Sequence, residues 1–268
     1  CRRCEAVCPA GVQYGPILVR ARAQQRQRRA PGWQQRAIEW LASRPAWLAA
    51  LFAGYRLAWP VLPGRLRPLP RPPAQRRGRK PSATDHLNHV ALFSGCVARP
   101  YEAGLRDAVA RLGAAAGFHV DVPADQRCCG TLHGHAGNMA EAARLAELNR
   151  EAFSGCGQVL TLASGCHEAV AEALGGADVV EDAASFLARQ PARWHFRETA
   201  ERVALHLPCT QQSLVRSGGA TRELLARVPG LDVVVLDAGH GCCGAAGTNM
   251  LADPARAATL REPLLQQL

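Results

Sequence analysis

Short, unbroken apolar runs recur along the later two thirds of the chain, each separated from the next by a stretch with helical period. His89-Val90-Ala91-Leu92-Phe93 opens the series. A run without polar alternation predicts a strand covered on both faces. A helical stretch, Tyr101–Ala116, follows it, then a second strand, His119–Val122. A helix over Asn138–Phe153 and a third strand from Gln158 to Ala163 come next. Val179–Val180 predicts the start of a fourth, with a helix near Ala183–Arg189. The pattern then begins again: an apolar run from Arg202, a helical stretch over Gln211–Val228 and a strand at Leu231–Asp237. Strands alternating with helices predict an α/β fold built on mostly parallel sheets.

The restart is a sequence repeat. His89-Val90-Ala91-Leu92-Phe93-Ser94-Gly95-Cys96 aligns with Arg202-Val203-Ala204-Leu205-His206-Leu207-Pro208-Cys209 at an offset of 113. Upstream the pattern changes. Residues 10–62 are largely helical in period, with Trp33, Trp40, Trp47 and Trp59 set among arginines. Ala46 to Leu62 is strongly apolar, but Arg56 interrupts it and Pro60 and Pro63 close it. It therefore predicts a helix lying on a membrane surface or against a partner, or an ordinary packed helical pair, in preference to a spanning segment. Residues 63–84 are rich in Pro and Arg and predict an extended linker or a strap. The expected division is residues 1–62, a linker over 63–88, a first repeat over 89–201 and a second over 202–268.

Charge follows the same division. The net charge is +10, but residues 1–80 alone carry +15 and the remainder −5. The basic segment has the composition of a nucleic-acid-binding tail, yet no recognition motif or stacking platform accompanies it, so no nucleic-acid partner is expected. With 48% hydrophobic residues among 268 the chain can bury a sizeable core. No secretory signal is visible. The chain opens on Cys1, inside what reads as an interrupted motif, which predicts a fragment of a longer protein.

The eleven cysteines carry the chemistry. Their spacing is short and repeated, which suits thiolate ligands in a reducing compartment better than a disulfide framework. Cys128-Cys129-Gly130 and Cys242-Cys243-Gly244 are the informative pair. Cys96 precedes the first triplet with 31 residues between, and Cys209 precedes the second with 32. Adjacent cysteines are poor disulfide partners, but both can face one iron–sulfur centre where a glycine lets the backbone turn. Cys166 completes the first set. Its counterpart in the second would fall near position 280, so that set offers Cys209, Cys242 and Cys243. A structural zinc site with four cysteines is the alternative for each set. At the amino end, Cys1-x2-Cys4-x3-Cys8-Pro9 is the tail of the ferredoxin run C-x2-C-x2-C-x3-C-P, in which the last cysteine serves a second cluster. Cys156 fits neither spacing and predicts a free thiol. His133, His135, His167, His206 and His240 sit near cysteines as candidate proton donors or hydrogen-bond partners. The neighbouring glycines form no phosphate-loop pattern, and no hydrolytic constellation is present.

Taken together, two cysteine-rich CCG domains behind a ferredoxin-type run resemble the iron–sulfur subunits of glycolate oxidase, of anaerobic glycerol-3-phosphate dehydrogenase and of lactate-utilisation systems. They also resemble the B component of heterodisulfide reductase. Gly11-Val12-Gln13-Tyr14-Gly15 after the run is most similar to the glycolate oxidase subunit. The resemblance implies an electron-transfer subunit of a membrane-associated glycolate oxidase or dehydrogenase complex, with no catalytic residue of its own for the hydroxy acid. A separate FAD flavoprotein would oxidise glycolate. Electrons would pass through 4Fe-4S clusters at Cys1, Cys4 and Cys8, and through a further cluster or metal centre in each CCG domain, towards the quinone pool. The implied location is cytoplasmic, peripheral on the inner face of the membrane. A lactate or glycerol-3-phosphate dehydrogenase subunit, a thiol–disulfide enzyme like heterodisulfide reductase, and a zinc-stabilised assembly factor are the alternatives. One departure stands out: the longer CCG pattern ends in C-x-x-C, and the position three before Cys166 is Ala163. An ordinary four-iron cluster or a simpler centre is therefore expected in the first repeat, in place of a noncubane one.

Overall fold

A computed structural model describes residues 2–67, 69–74, 88–190, 194–237, 239, 242–245, 247 and 253–268. Cys1, His240, Gly241 and residues 75–87 of the expected linker lie outside the described residues.

The amino-terminal part is helical: α1 (Arg3–Ala6), α2 (Tyr14–Arg28), α3 (Trp33–Ala42) and α4 (Pro45–Ala58). The first repeat then runs β1 (Asn88–Phe93), α5 (Ala98–Tyr101), α6 (Ala103–Ala115), β2 (Phe118–Asp121), α7 (Thr131–His135), α8 (Met139–Ala152), β3 (Val159–Thr161), α9 (Ser164–Leu174), β4 (Val180–Asp182) and α10 (Ala183–Ala188). Its four strands are all parallel, in the order β2-β1-β3-β4. The apolar runs have the expected cause: Val90, Leu92, Val109, Val120, Leu160 and Phe186 pack on one face of the sheet. Ala91, Phe93, Leu145, Phe153, Val159 and Val170 pack on the other. Helices thus cover both faces, as the backbone of a parallel sheet requires.

The second repeat supplies β5 (Arg202–His206), α11 (Gly218–Ala226), β6 (Asp232–Leu236) and α12 (Pro254–Leu265). β5 and β6 pair in parallel. The continuous helix expected over 211–228 is not continuous. A π-helical turn occupies Gln211–Val215, Arg216 turns left-handed at φ 59°, and α11 starts only at Gly218.

The amino-terminal helices are fastened to the first repeat by one buried carboxylate. Glu39 of α3 is 5% exposed. It accepts from both Arg26 nitrogens at 2.8 Å, from Gln35 at 3.0 Å and from Asn138, the N-cap of α8, at 3.2 Å. Four charge-assisted or amide donors offset the cost of burying that charge, and they hold the carboxyl below its ordinary pKa against the opposing effect of burial. Arg22 donates to the His135 carbonyl at 3.0 Å. There α2 comes so close that a Cβ on Gly137 would stand 2.5 Å from the Arg22 carbonyl oxygen. The described part of the linker is a strap: Tyr55 donates to the Leu69 carbonyl at 2.5 Å and Tyr101 to that of Pro70 at 3.1 Å. Among the described residues, no helix is long and apolar enough to cross a membrane.

Two measurements test this packing. Glu39→Ala leaves the Arg26 guanidinium without its counter-charge, with only the Ala136 carbonyl at 3.3 Å to accept from it, and is expected to cost about 3 kcal/mol, lowering the melting temperature by roughly 6–12 °C. An unchanged midpoint would show that Glu39 fastens nothing. Burial pulls the His133 and His167 imidazoles below the ordinary 6.5, so both enter the fold neutral. Below about pH 6.5 the unfolded chain binds more protons than the folded one. The stability these residues contribute is therefore complete above that pH and drains as the pH falls through it. Urea midpoints of wild type should fall more steeply between about pH 7 and pH 5 than those of His133→Gln.

Candidate metal centre

All the ligand cysteines expected in the first repeat gather at the carboxyl edge of its sheet. Cys96 follows β1, Cys128 and Cys129 follow β2, and Cys166 sits in the first turn of α9, just past β3. The connection after β1 runs to β2 on one side and the connection after β3 runs to β4 on the other, so the cysteines stand where the winding reverses, which is where open α/β sheets form their sites.

Local geometry explains why the sulfurs meet. Gln126, 2% exposed, accepts from the Ser94 backbone N–H at 2.7 Å and from its hydroxyl at 3.0 Å, and donates to the Leu92 and Pro123 carbonyls. It locks the turn before Cys96 to the turn before Cys128. Asn149 of α8 is 1% exposed; it accepts from the Arg127 N–H at 2.8 Å and donates to the Cys128 carbonyl at 3.0 Å. Gly130 then turns left-handed at φ 85°, and a Cβ there would meet the Ala142 carbonyl oxygen of α8 at 3.3 Å. The second triplet repeats the device. Gly244 has φ 76°, and its Cβ would stand 2.5 Å from the Ala257 carbonyl oxygen of α12. Ala142 and Ala257 each hold the fourth position of a helix capped by Asn138 or Asp253.

Cys96 Sγ lies 3.5 Å from Cys128 Sγ. The Cys129 thiol donates to the Thr131 hydroxyl at 3.3 Å, with the Cys128 and Cys166 thiols beside it. Ionisation is divided unequally among the four. Hydrogen bonds from Cys128 and Cys166 pull Cys129 well below the ordinary thiol value, and one from Cys128 lowers Cys96. Cys128 and Cys166 are pushed up by donating those bonds and by burial. Four clustered thiols that cannot all ionise together fit a cationic centre, which would let every one of them become a thiolate. Among the described residues, no three sulfurs lie within 4.8 Å of one another.

In the second repeat Cys209 follows β5, and its thiol is raised by burial and then by the nearby Cys243 and Cys242. Both ring nitrogens of His206 are buried without a partner, three residues before Cys209. At the amino end Cys4 is exposed and Cys8 half-buried, its thiol lowered chiefly by the Val12 and Ala10 N–H groups. Cys156 packs against the apolar layer beneath the first site and belongs to no sulfur group. His133 is buried; its Nε2 pairs with Ser43 at 3.1 Å and its Nδ1 has no partner. His167 pairs with the Thr161 hydroxyl at 2.7 Å. Gln126, Asn149 and Thr131 are not singled out by the sequence. Only the position of Asn149 on the inner face of an expected helix could have suggested it.

Helix α9 carries one cysteine of the first group and contacts residues that neighbour cysteines of the other two. Cys166 lies within it, Glu168 pairs with Arg2 of the amino-terminal run, and the Ser164 hydroxyl meets that of Thr210, beside Cys209, at 2.7 Å.

Comparison with known proteins bears on the family. The family model described as the CCG cysteine-rich domain matches residues 90–171 and 203–268, the two repeats. The chain belongs to the CCG family. Among CCG relatives, the glycolate oxidase iron-sulfur subunit of Escherichia coli is 27% identical over the whole chain and 71% of its own length. The probable glycolate oxidase iron-sulfur subunit of Bacillus subtilis is 27% identical over 92% of the chain and 66% of its own length. The B component of the fumarate reductase (CoM/CoB) of Methanothermobacter marburgensis is 30% identical over 60% of the chain and 33% of its own length. The chain thus spans about two thirds of the glycolate oxidase relatives. No solved structure matches it.

The two CCG glycines should differ in tolerance. Alanine at either position meets left-handed strain of about 1–2 kcal/mol. Gly244→Ala adds the closer backbone clash and should lose more stability, and more bound metal, than Gly130→Ala. Equal melting temperatures and equal metal content in the two variants would contradict the packing described.

Proposed function

We propose that the chain is the electron-carrying iron–sulfur subunit of a glycolate oxidase or a closely related 2-hydroxy-acid dehydrogenase. The observation that carries this reading is α9, one element that carries Cys166 and contacts Arg2 and Thr210, the sequence neighbours of Cys1 and Cys209. Cys96, Cys128, Cys129 and Cys166 would hold one centre, and Cys209, Cys242 and Cys243 a second. Cys4 and Cys8, with Cys1, would serve ferredoxin-type 4Fe-4S clusters. Such clusters, when bound, supply one-electron carriers whose potential follows burial and hydrogen bonding to sulfur.

The residues of the chain set those conditions. Once Cys129 is a thiolate the Thr131 hydroxyl would donate to it, and the partnerless His206 and His133 nitrogens are available to sulfide or to thiolate. Arg2–Glu168 and Ser164–Thr210 keep the three groups in one succession, along which charge would pass. By analogy with the glycolate oxidase relatives, the hydroxy acid is assigned to a separate flavoprotein, and the electrons to quinone.

The amino-terminal helices support peripheral membrane or partner docking. Trp33, Trp40, Trp47, Leu51 and Leu57 are exposed there, and Arg44 stacks on Trp40 at 4.4 Å. Apolar rings beside guanidinium groups suit an anionic lipid surface.

The decisive experiment is metal and sulfide analysis with low-temperature paramagnetic resonance on the full-length protein. Iron with acid-labile sulfide is expected. In the assembled complex, Cys129→Ser or Cys243→Ser should abolish quinone-linked glycolate oxidation and leave flavin bound. Zinc without sulfide would overturn the reading.

A further inference from the structure

A second group of metal-binding side chains lies apart from the cysteines gathered at the carboxyl edge of the sheet; of the remaining thiols, that of Cys156 is near enough for the Asp121 carboxylate to help burial push it up. β1 and β2 run parallel with His89 opposite His119 and Ala91 opposite Asp121. Residues two apart on a strand share a face, so His119 and Asp121 project together and His89 stands beside them. The contacts follow from that register. His89 Nδ1 lies 2.8 Å from Asp121 Oδ2, and His119 Nε2 lies 3.1 Å from Asp121 Oδ1. The two rings sit 5.1 Å apart and inclined by 61°. All three donor atoms are within 4.8 Å of one another, the one such group among the described residues.

We propose that His89, His119 and Asp121 form a binding site for a divalent transition ion of the zinc class. Two imidazoles converge on the two oxygens of one carboxylate. Each ring must present a proton to that carboxylate or share one cation with it. A zinc ion displaces both protons, and its bonds of about 2.0–2.2 Å to nitrogen and oxygen suit donors already gathered this closely. Nitrogen and carboxylate ligands without sulfur select zinc, nickel or cobalt over the soft-thiolate chemistry at the other end of the sheet. β2 is an edge strand, and the His89 and Asp121 side chains are 68% and 50% exposed. The remaining coordination positions therefore open to water. His89 precedes the carboxyl end of β1 by four residues, roughly 13 Å along the strand, which separates this ion from the cysteine site. A bound ion ties the edge strand β2 to β1.

The test is a calorimetric titration of the full chain, as isolated with its own metal, with zinc chloride. One added equivalent is expected to bind with micromolar affinity and raise the melting temperature. His89→Gln, His119→Gln and Asp121→Asn should each weaken that binding at least tenfold while the iron and sulfide content stays unchanged. X-ray absorption at the zinc edge should show nitrogen and oxygen neighbours only. Failure of the wild type to take up added zinc, uptake equal in all three variants, or a shell of sulfur neighbours would each overturn the proposal.

Discussion

A glycine pressed against a helix is the constraint on which this molecule rests. In both repeats the residue after the paired cysteines adopts a left-handed conformation and packs on the backbone of the next helix, at its fourth position. Any side chain there would push the helix away. With the helix in contact, two consecutive sulfurs are turned towards the carboxyl edge of the sheet, where Cys96 and Cys166 arrive from neighbouring strands. The triplet is thus one steric arrangement, and its recurrence at Gly130 and Gly244 shows that the repeat is physical as well as textual. Asn149 and Gln126 finish the corner in the first copy by consuming the polar groups that the turn would otherwise leave buried and unpaired.

Around that corner the fold places its polar interactions where they join parts. α9 is the shared support, linked by Arg2–Glu168 to the amino-terminal run and by Ser164–Thr210 to the second repeat. Glu39 does the same between the helices and the first repeat. The interior of the sheet is apolar on both faces, so it fixes the shape of the domain without specifying what docks on it.

Much of the scaffold could be read from the chain alone. The strands ending near Phe93 and Thr161 were legible because a doubly covered parallel strand must be apolar throughout, and the cysteine spacing marked where such strands end. The break at Arg216 was not legible, because residues 211–228 keep helical composition across a left-handed turn that tertiary packing imposes. Gln126 and Asn149 were hidden for another reason. A buried amide is recognised by its partners, and all but the Pro123 carbonyl lie 21 to 34 residues away in sequence. The His89–His119–Asp121 group escaped notice because only the register of β1 against β2 makes it a group.

The carboxylate of Glu39 has an implication for how the protein is made. Its Asn138 partner lies 99 residues downstream, so a ribosome exposes α3 long before the last donor emerges. Until then the acid has only Arg26 and Gln35 as side-chain donors, and α2 to α4 lack the surface of the first repeat on which they pack. The first repeat must fold before the segment that precedes it can close, which reverses the order of synthesis.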